Sequence, residues 1–124
     1  MNRFVLLLFL FFGVLQAQIN PKDVEIIRDS YGVPHIYGNS DADTAYGLAW
    51  AHAEDNFVTI QKAYLAGNGM LSRWNGKQGI GADFIAQFIQ SEETVNRLYH
   101  TLSDEFTAVL QGYAEGLNSY AKHN

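Results

Sequence analysis

A run of apolar residues at helical spacing, between Asn39 and Gly67, most constrains how this chain can fold. Steps of one, three and four residues place them on one face of a helix; they are Tyr46, Ala49, Trp50, Ala53, Phe57, Ile60 and Tyr64. Ser40 or Asp41 can cap the start of this helix, and Gly67 is predicted to end it. Gly47 lies inside the helix at a cost of about 1 kcal/mol relative to alanine. A glycine there predicts the close approach of another backbone.

The segment before this helix, residues 23–38, is predicted to form a β-hairpin. Strand-forming residues stand on both sides of a turn; they are Val24, Ile26 and Ile27 before it, and Ile36 and Tyr37 after it. The turn is Asp29-Ser30-Tyr31-Gly32, with Asp and Gly at the positions that a tight turn favours. Pro34 has no N–H to donate, so its side of the strand should face an edge of the sheet.

The rest of the chain is predicted to be mainly helical. Five glycines between residues 67 and 81 predict a loop around Met70, Leu71 and Trp74. One or two helical turns are expected over residues 83–90. Ser91 is predicted to cap a helix that reaches about His100, and Ser103 to cap a final helix that reaches Lys122. The fold class predicted from the sequence is therefore α+β.

Composition excludes several classes of protein. A chain of 124 residues holds one small domain at most, and a hydrophobic content of 48% argues against disorder. The absence of cysteine excludes disulfide scaffolds, zinc ribbons and cysteine nucleophiles within these residues. The formal net charge is −5, without a basic block, so nucleic acid is a poor candidate partner.

The N-terminus has the pattern of a secretory signal peptide. Arg3 precedes an apolar run over residues 4–15 that is shorter than the ~20 residues of a membrane span. We predict a signal peptide over residues 1–17, cleaved after Ala17, and a protein that is secreted or periplasmic without a stable membrane anchor. An uncleaved anchor is the alternative. Residues 18–124 would then be one incomplete domain, which we expect to continue beyond Asn124.

The charged residues of the long helix leave two interpretations open. His52-Ala53-Glu54-Asp55 lacks the second histidine, four residues on, of a zinc-binding helix. A metal site could still arise if His35, His52 and Glu54 converged in space, as in a metal-dependent hydrolase. The simpler interpretation is an exposed Glu54 and an Asp55 bound to a nearby cation or backbone N–H.

Other candidate chemistry is weakly supported. The glycine-rich segment over residues 67–81 has neither the motif nor the preceding strand of a phosphate-binding loop. The serines lack the GxSxG context of a nucleophile. An ion pair between Arg28 and Asp29 is predicted to hold the hairpin in place, with little energy if the pair is exposed.

The run VEIIRDSYGVPHIYGNSDADTAYGLAWAHAEDNF resembles the penicillin acylase (penicillin amidase) family. The matching positions are Arg28, Asp29, Gly32, Val33, Pro34, His35, Ile36, Tyr46, Gly47, Ala53, Glu54 and Asp55. Ala49 and Asn56 depart from the family, which more often has glycine and arginine there. The run Gly69 to Gly76 and the run Leu110 to Asn118 are also similar to family motifs, so the resemblance covers nearly all of residues 18–124.

The resemblance implies an N-terminal-nucleophile (Ntn) hydrolase of αββα fold, made as a secreted precursor that cuts itself into an α and a β chain. The nucleophile would be the first serine of the β chain, beyond Asn124, so no catalytic, cofactor-binding or metal-binding residue is expected within these 124 residues. His35 would then be structural, together with Arg28, Asp29, Gly32, Pro34, Tyr46, Gly47 and Asp55.

The resemblance also bears on ligands and partners. The β chain of the same precursor would be the partner, the substrate a small-molecule amide such as an acylated β-lactam or an acyl-homoserine lactone. A structural Ca²⁺ ion in the full-length protein is compatible with it. The alternative function is a secreted binding or structural module with no chemistry of its own.

Overall fold

The computed structural model describes residues 19–124, so the predicted signal peptide lies outside the described residues. A 3₁₀ turn at Pro21–Asp23 leads into a hairpin of β1 (Glu25–Arg28) and β2 (Pro34–Tyr37), and five α-helices follow. They are α1 (Asp41–Gly67), α2 (Ser72–Asn75), α3 (Ile80–Phe88), α4 (Ser91–Leu98) and α5 (Asp104–His123). A hairpin followed by mainly helices confirms the α+β prediction. Within the described part of the chain, no helix combines the length and the apolar character needed to cross a membrane.

The hairpin forms as predicted. Its antiparallel register pairs Glu25 with Tyr37 and Arg28 with Pro34. The Asp29 carbonyl accepts from the Gly32 N–H at 3.0 Å, and the Asp29 N–H donates to the Val33 carbonyl at 3.1 Å. Gly32 has a φ of 82°, so the connection is a tight turn closed by a residue in the left-handed region, which glycine adopts most readily.

Helix α1 begins where the sequence predicts, but it is not continuous. The Ser40 hydroxyl caps its first turn by accepting from the Asp43 N–H at 3.2 Å. Asn56 leaves helical geometry, with φ −162° and ψ 71°, and kinks the helix. Its side-chain oxygen accepts from the Thr59 N–H at 3.1 Å and so caps the second half. The helix ends at Gly67, as predicted, and two residues later Gly69 has a positive φ of 63°.

The core is the contact between the first half of α1 and α5. A Cβ on Gly112 would collide with the Ala42 carbonyl, and one on Gly116 would collide with the Tyr46 carbonyl and lie 2.8 Å from the Ala49 Cβ. The helices therefore touch backbone to backbone, and Ala49 is fully buried. We call this contact the α1–α5 seam. Helix α5 begins as predicted, because the Ser103 hydroxyl accepts from the Phe106 N–H at 3.2 Å.

The hairpin packs against α1 at Gly47. A Cβ on Gly47 would lie 2.5 Å from Ile36 Cγ2 and 2.8 Å from Val24 Cγ1. The close approach predicted at Gly47 is real, although side chains of the hairpin make it rather than another backbone.

The segment after α1 differs from the prediction. The predicted glycine-rich loop is largely helical, because it contains α2 and a 3₁₀ turn at Gly76–Gly79. Ser91 does not cap α4: it is the first helical residue, and its hydroxyl donates to the Ala86 carbonyl at 3.1 Å. The junction before it is made by Gln90, whose φ of 52° is uncommon for a residue with a side chain. Helix α4 ends at Leu98, and a 3₁₀ turn at Tyr99–Thr101 follows.

Candidate functional site

The Arg28 guanidinium is the centre of the most connected polar cluster in the described residues. At the end of β1, its Nη1 donates to the Gly32 carbonyl at 2.8 Å. Its Nη2 lies 3.2 Å from Glu54 Oε2 and 2.9 Å from Asp55 Oδ1, and also donates to the Ala51 carbonyl at 3.3 Å. One side chain thus ties the hairpin turn to α1 just before the kink.

The predicted Arg28–Asp29 ion pair is wrong. Consecutive residues of an extended chain point to opposite faces of a sheet. Arg28 contacts α1, whereas the Asp29 side chain contacts the turn. The hydrogen bond of Arg28 with Glu54 has the largest effect and raises the pKa of Arg28 above its ordinary value; burial opposes this increase, and the charge of Asp55 adds to it.

Glu54 and Asp55 converge on this one cation although they are neighbours on a helix. The predicted binding of Asp55 to a nearby cation is confirmed. Glu54, expected to be merely exposed, shares that cation, and its Oε1 accepts from Trp50 Nε1 at 3.0 Å. Both carboxylates are therefore engaged in holding α1 against the hairpin.

The Asp29 carboxylate organises the turn instead. Its Oδ1 accepts from the N–H of Tyr31 at 2.8 Å and from that of Val33 at 3.0 Å. The Val33 bond has the largest effect and lowers the pKa of Asp29; burial opposes it, while the bonds with Tyr31 and His35 add to it. His35 Nε2 lies 3.4 Å from Asp29 Oδ2, and its imidazole is about half exposed. His35 thus contacts the turn through Asp29.

His35, His52 and Glu54 do not converge, so the alternative of a metal site formed by these three side chains is not supported. His52 Nδ1 lies 3.1 Å from the Tyr113 hydroxyl across the α1–α5 contact, whereas His35 contacts Asp29 and Glu54 contacts Arg28. Across residues 19–124, no three His, Asp or Glu side chains lie close enough to hold a metal ion.

Asp83 is a second polar centre, which sequence reasoning missed. It is only 7% exposed, and its carboxylate accepts from the N–H of Leu71 at 2.5 Å and from that of Ser72 at 2.9 Å. Burial disfavours its ionised form, but the hydrogen bonds from Ser72 and Leu71 outweigh burial and lower the pKa of Asp83. The carboxylate caps α2 from the neighbouring helix α3. Because this contact joins residues 11 and 12 positions apart, the local sequence around α2 did not predict it.

The family-motif positions form one structural unit, which we call the hairpin–helix junction. Arg28, Asp29, Gly32, Pro34 and His35 lie in the hairpin and its turn, while Tyr46, Gly47 and Asp55 lie on the face of α1 that carries it. Every charged group in it is engaged in a bond between or within these elements. This geometry holds the hairpin in a fixed position on α1.

Comparison with known proteins identifies the family to which this architecture belongs. The family model described as penicillin amidase matches residues 23–124. The chain belongs to the penicillin amidase family. The resemblance that the motifs indicated is thereby confirmed, and the hairpin and helices are those of an Ntn-hydrolase fold.

Relatives of known name agree with this membership. Penicillin G acylase of Escherichia coli is 29% identical over 104 residues, which cover 84% of this chain and 12% of that protein. Acyl-homoserine lactone acylase PvdQ of Pseudomonas putida is 30% identical over 114 residues, 84% of this chain and 15% of that protein. The solved structure of a thermostable penicillin G acylase from Alcaligenes faecalis superposes with a TM-score of 0.72 at 27% identity and covers 81% of this chain and 53% of that one. The matched region therefore spans only 12–17% of the length of the curated relatives.

Proposed function

We propose that this chain is the N-terminal part of a secreted or periplasmic acylase that hydrolyses the amide bond of an acylated small molecule. The observation that carries the proposal is the family match over residues 23–124, together with relatives named as penicillin and acyl-homoserine lactone acylases. Amide hydrolysis is the reaction that these two substrate classes have in common.

The nucleophile in this proposal is a serine at the N-terminus of a β chain, produced by self-cleavage of the precursor beyond Asn124. A free α-amine on the same residue can accept the hydroxyl proton as the oxygen attacks the amide carbonyl. Preorganised donors stabilise the tetrahedral intermediate, the amine leaves, and water then hydrolyses the acyl-enzyme.

Within that enzyme, the residues described here support the reaction indirectly. The hairpin–helix junction would hold the hairpin rigidly on α1, and rigid supporting elements keep a distant catalytic group within the narrow geometry that catalysis requires. In this proposal, His35 stabilises the turn and takes no part in proton transfer.

The test is an assay of the protein expressed from its full reading frame. Purified protein is incubated with penicillin G and with an N-acyl-homoserine lactone, and release of the free amine is followed with time. The proposal predicts release from at least one of them, with formation of the free acid in equal amount. A correctly folded full-length protein that cleaves neither of these nor any other N-acylated amine would favour the non-catalytic binding module instead.

A further inference from the structure

The outer edge of β1 has no neighbouring strand within residues 19–124. Across residues 19–124, the sheet has two strands and β1 pairs with β2 alone. A hairpin of two strands is marginally stable in water, and sheets usually gain stability from further strands or from a covering layer. Here α1 covers one face, while Ile27 and Tyr37, 48% and 57% exposed, stand on the other.

The register identifies which backbone groups point outward. Asp29 donates to the Val33 carbonyl across the two strands, which makes them a hydrogen-bonded pair. Because such pairs alternate along an antiparallel ladder, Ile27–His35 is the next hydrogen-bonded pair, whereas Arg28–Pro34 and Ile26–Ile36 direct their backbone groups away from each other. On β1, the N–H and C=O groups of Ile26 and Arg28 therefore face the outer edge.

The two edges of the hairpin are not equivalent. On β2, the outward position paired with Arg28 is Pro34, which has no N–H to donate. On β1, both outward positions keep their donors and acceptors. An additional strand would therefore form a more complete ladder along β1 than along β2.

An apolar groove accompanies the β1 edge. It has a volume of about 190 Å³ and is lined by Pro21, Val24, Ile26, Tyr46 and Trp50. No residue of β2 lines it, so the groove opens on the β1 side of the hairpin. A strand laid along β1 would direct every second side chain towards α1, and the groove can hold one large apolar side chain.

We infer that β1 is a strand-addition site, filled in the full-length protein by an extended segment from the rest of the same polypeptide. Backbone bonds to Ile26 and Arg28 would hold that segment, and an apolar side chain in the groove would fix its register. We assign this segment to the same polypeptide because the matched region is only 12% of the E. coli relative and 53% of the solved chain, so these relatives have much further sequence that could supply a strand. This inference rests on the proposed function only in placing these residues within a larger precursor.

The test is amide hydrogen exchange at single-residue resolution on the full-length protein. The inference predicts that the outward amides of Ile26 and Arg28 exchange within about tenfold of the Ile27 amide, which is bonded inside the hairpin. Exchange of Ile26 and Arg28 a hundredfold or more faster than Ile27 would overturn it. Protection lost on dilution to monomer would point to a second copy, and protection gained only with added peptide to an external ligand; both also overturn it.

A matched pair of variants separates the ladder from side-chain packing. Ile26 and Ile36 are directly paired and lie over the same glycine, Gly47. Ile26→Pro removes an outward donor from the β1 edge, and Ile36→Pro removes one from the β2 edge, with the same loss of side chain. We expect Ile26→Pro to reduce the yield of folded full-length protein at least fivefold below that of Ile36→Pro. Equal yields would contradict strand addition at β1.

Exchange does not depend on turnover or on self-cleavage. An inactive or uncut full-length protein with protected Ile26 and Arg28 amides would therefore refute the proposed function and leave this inference standing. An active enzyme with unprotected amides at both positions would do the reverse.

Discussion

Small residues are buried in the α1–α5 seam, whereas large apolar residues are exposed on the outer face of α3. At the seam, Gly112 and Gly116 lie against the backbone of α1, and Ala49 is fully buried. On the outer face of α3, the Phe84 and Phe88 rings stack with centroids 6.0 Å apart while 63% and 74% exposed. Ile80, Ile85 and Ile89, in or next to α3, are also exposed.

This difference shows which contacts the chain completes within itself. The seam is closed by small residues that leave no room for anything else. Single exposed apolar residues are normal, but a cluster of large ones on a single helix marks a contact surface. The outer face of α3 is the surface we expect the rest of the precursor to cover, as we expect it to complete β1.

The largest expected effect comes from removing that cover altogether. Residues 18–124 expressed alone should melt without a sharp cooperative transition and bind an apolar dye strongly, because the outer face of α3 and the β1 edge would stay in water. Calorimetry and dye fluorescence, with the full-length protein as control, make the measurement. A sharp heat-absorption peak from the isolated segment would show that the seam suffices for folding.

The next effect tests the seam itself. Gly116→Ala in the full-length protein should destabilise it by about 2–3 kcal/mol, since the added Cβ meets the Tyr46 carbonyl and the helices must separate. Gly81→Ala in α3 is the matched control. No atom lies within 4 Å of a Cβ there, so it should stabilise α3 by up to about 1 kcal/mol. Similar denaturation midpoints for the two variants would remove the contrast between the regions.

The seam also shows how far the sequence determines the fold. The hairpin, α1 and α5 follow from turn residues, apolar spacing and the caps Ser40 and Ser103, all of which act over a few positions. Close approach at Gly47 was predictable because a glycine inside a helix costs about 1 kcal/mol relative to alanine, and a contact that excludes a Cβ offsets that cost.

What the sequence did not reveal depends on distant partners. The segment around α2 is capped by Asp83, from 11 and 12 residues away, so local composition predicted a loop. Arg28 binds Glu54 and Asp55, 26 and 27 residues on, rather than its neighbour Asp29. The kink at Asn56 interrupts a stripe of apolar residues whose spacing contains no sign of it.

A smaller effect concerns the Asp83 cap. Asp83→Asn keeps the shape but places an N–H₂ against one of the two backbone donors, so the full-length protein should unfold at lower denaturant concentration at pH 7. Because the folded pKa of Asp83 lies below the ordinary 3.8, the carboxylate contributes fully above that pH and less as pH falls through the folded value. The difference in denaturation midpoint between variant and wild type should therefore stay constant from pH 7 down to about 5 and become smaller as the pH falls below 3.8. A difference that stayed constant below pH 3.8 as well would refute an ionised cap.

The smallest effect is expected at His35. The imidazole is half exposed and 3.4 Å from Asp29, so His35→Ala should lower the melting temperature of the full-length protein by about 2 °C or less. Turnover per folded molecule should stay unchanged, because the proposed nucleophile supplies its own base. A stable, fully processed variant without turnover would show that His35 acts in the chemistry.

The central claim is that these residues begin a self-processing acylase, and the most direct measurement is the mass and N-terminal sequence of each chain secreted from the full reading frame. The account predicts two chains that remain associated, the first beginning at Gln18 and the second at a serine. A single uncut chain would contradict it.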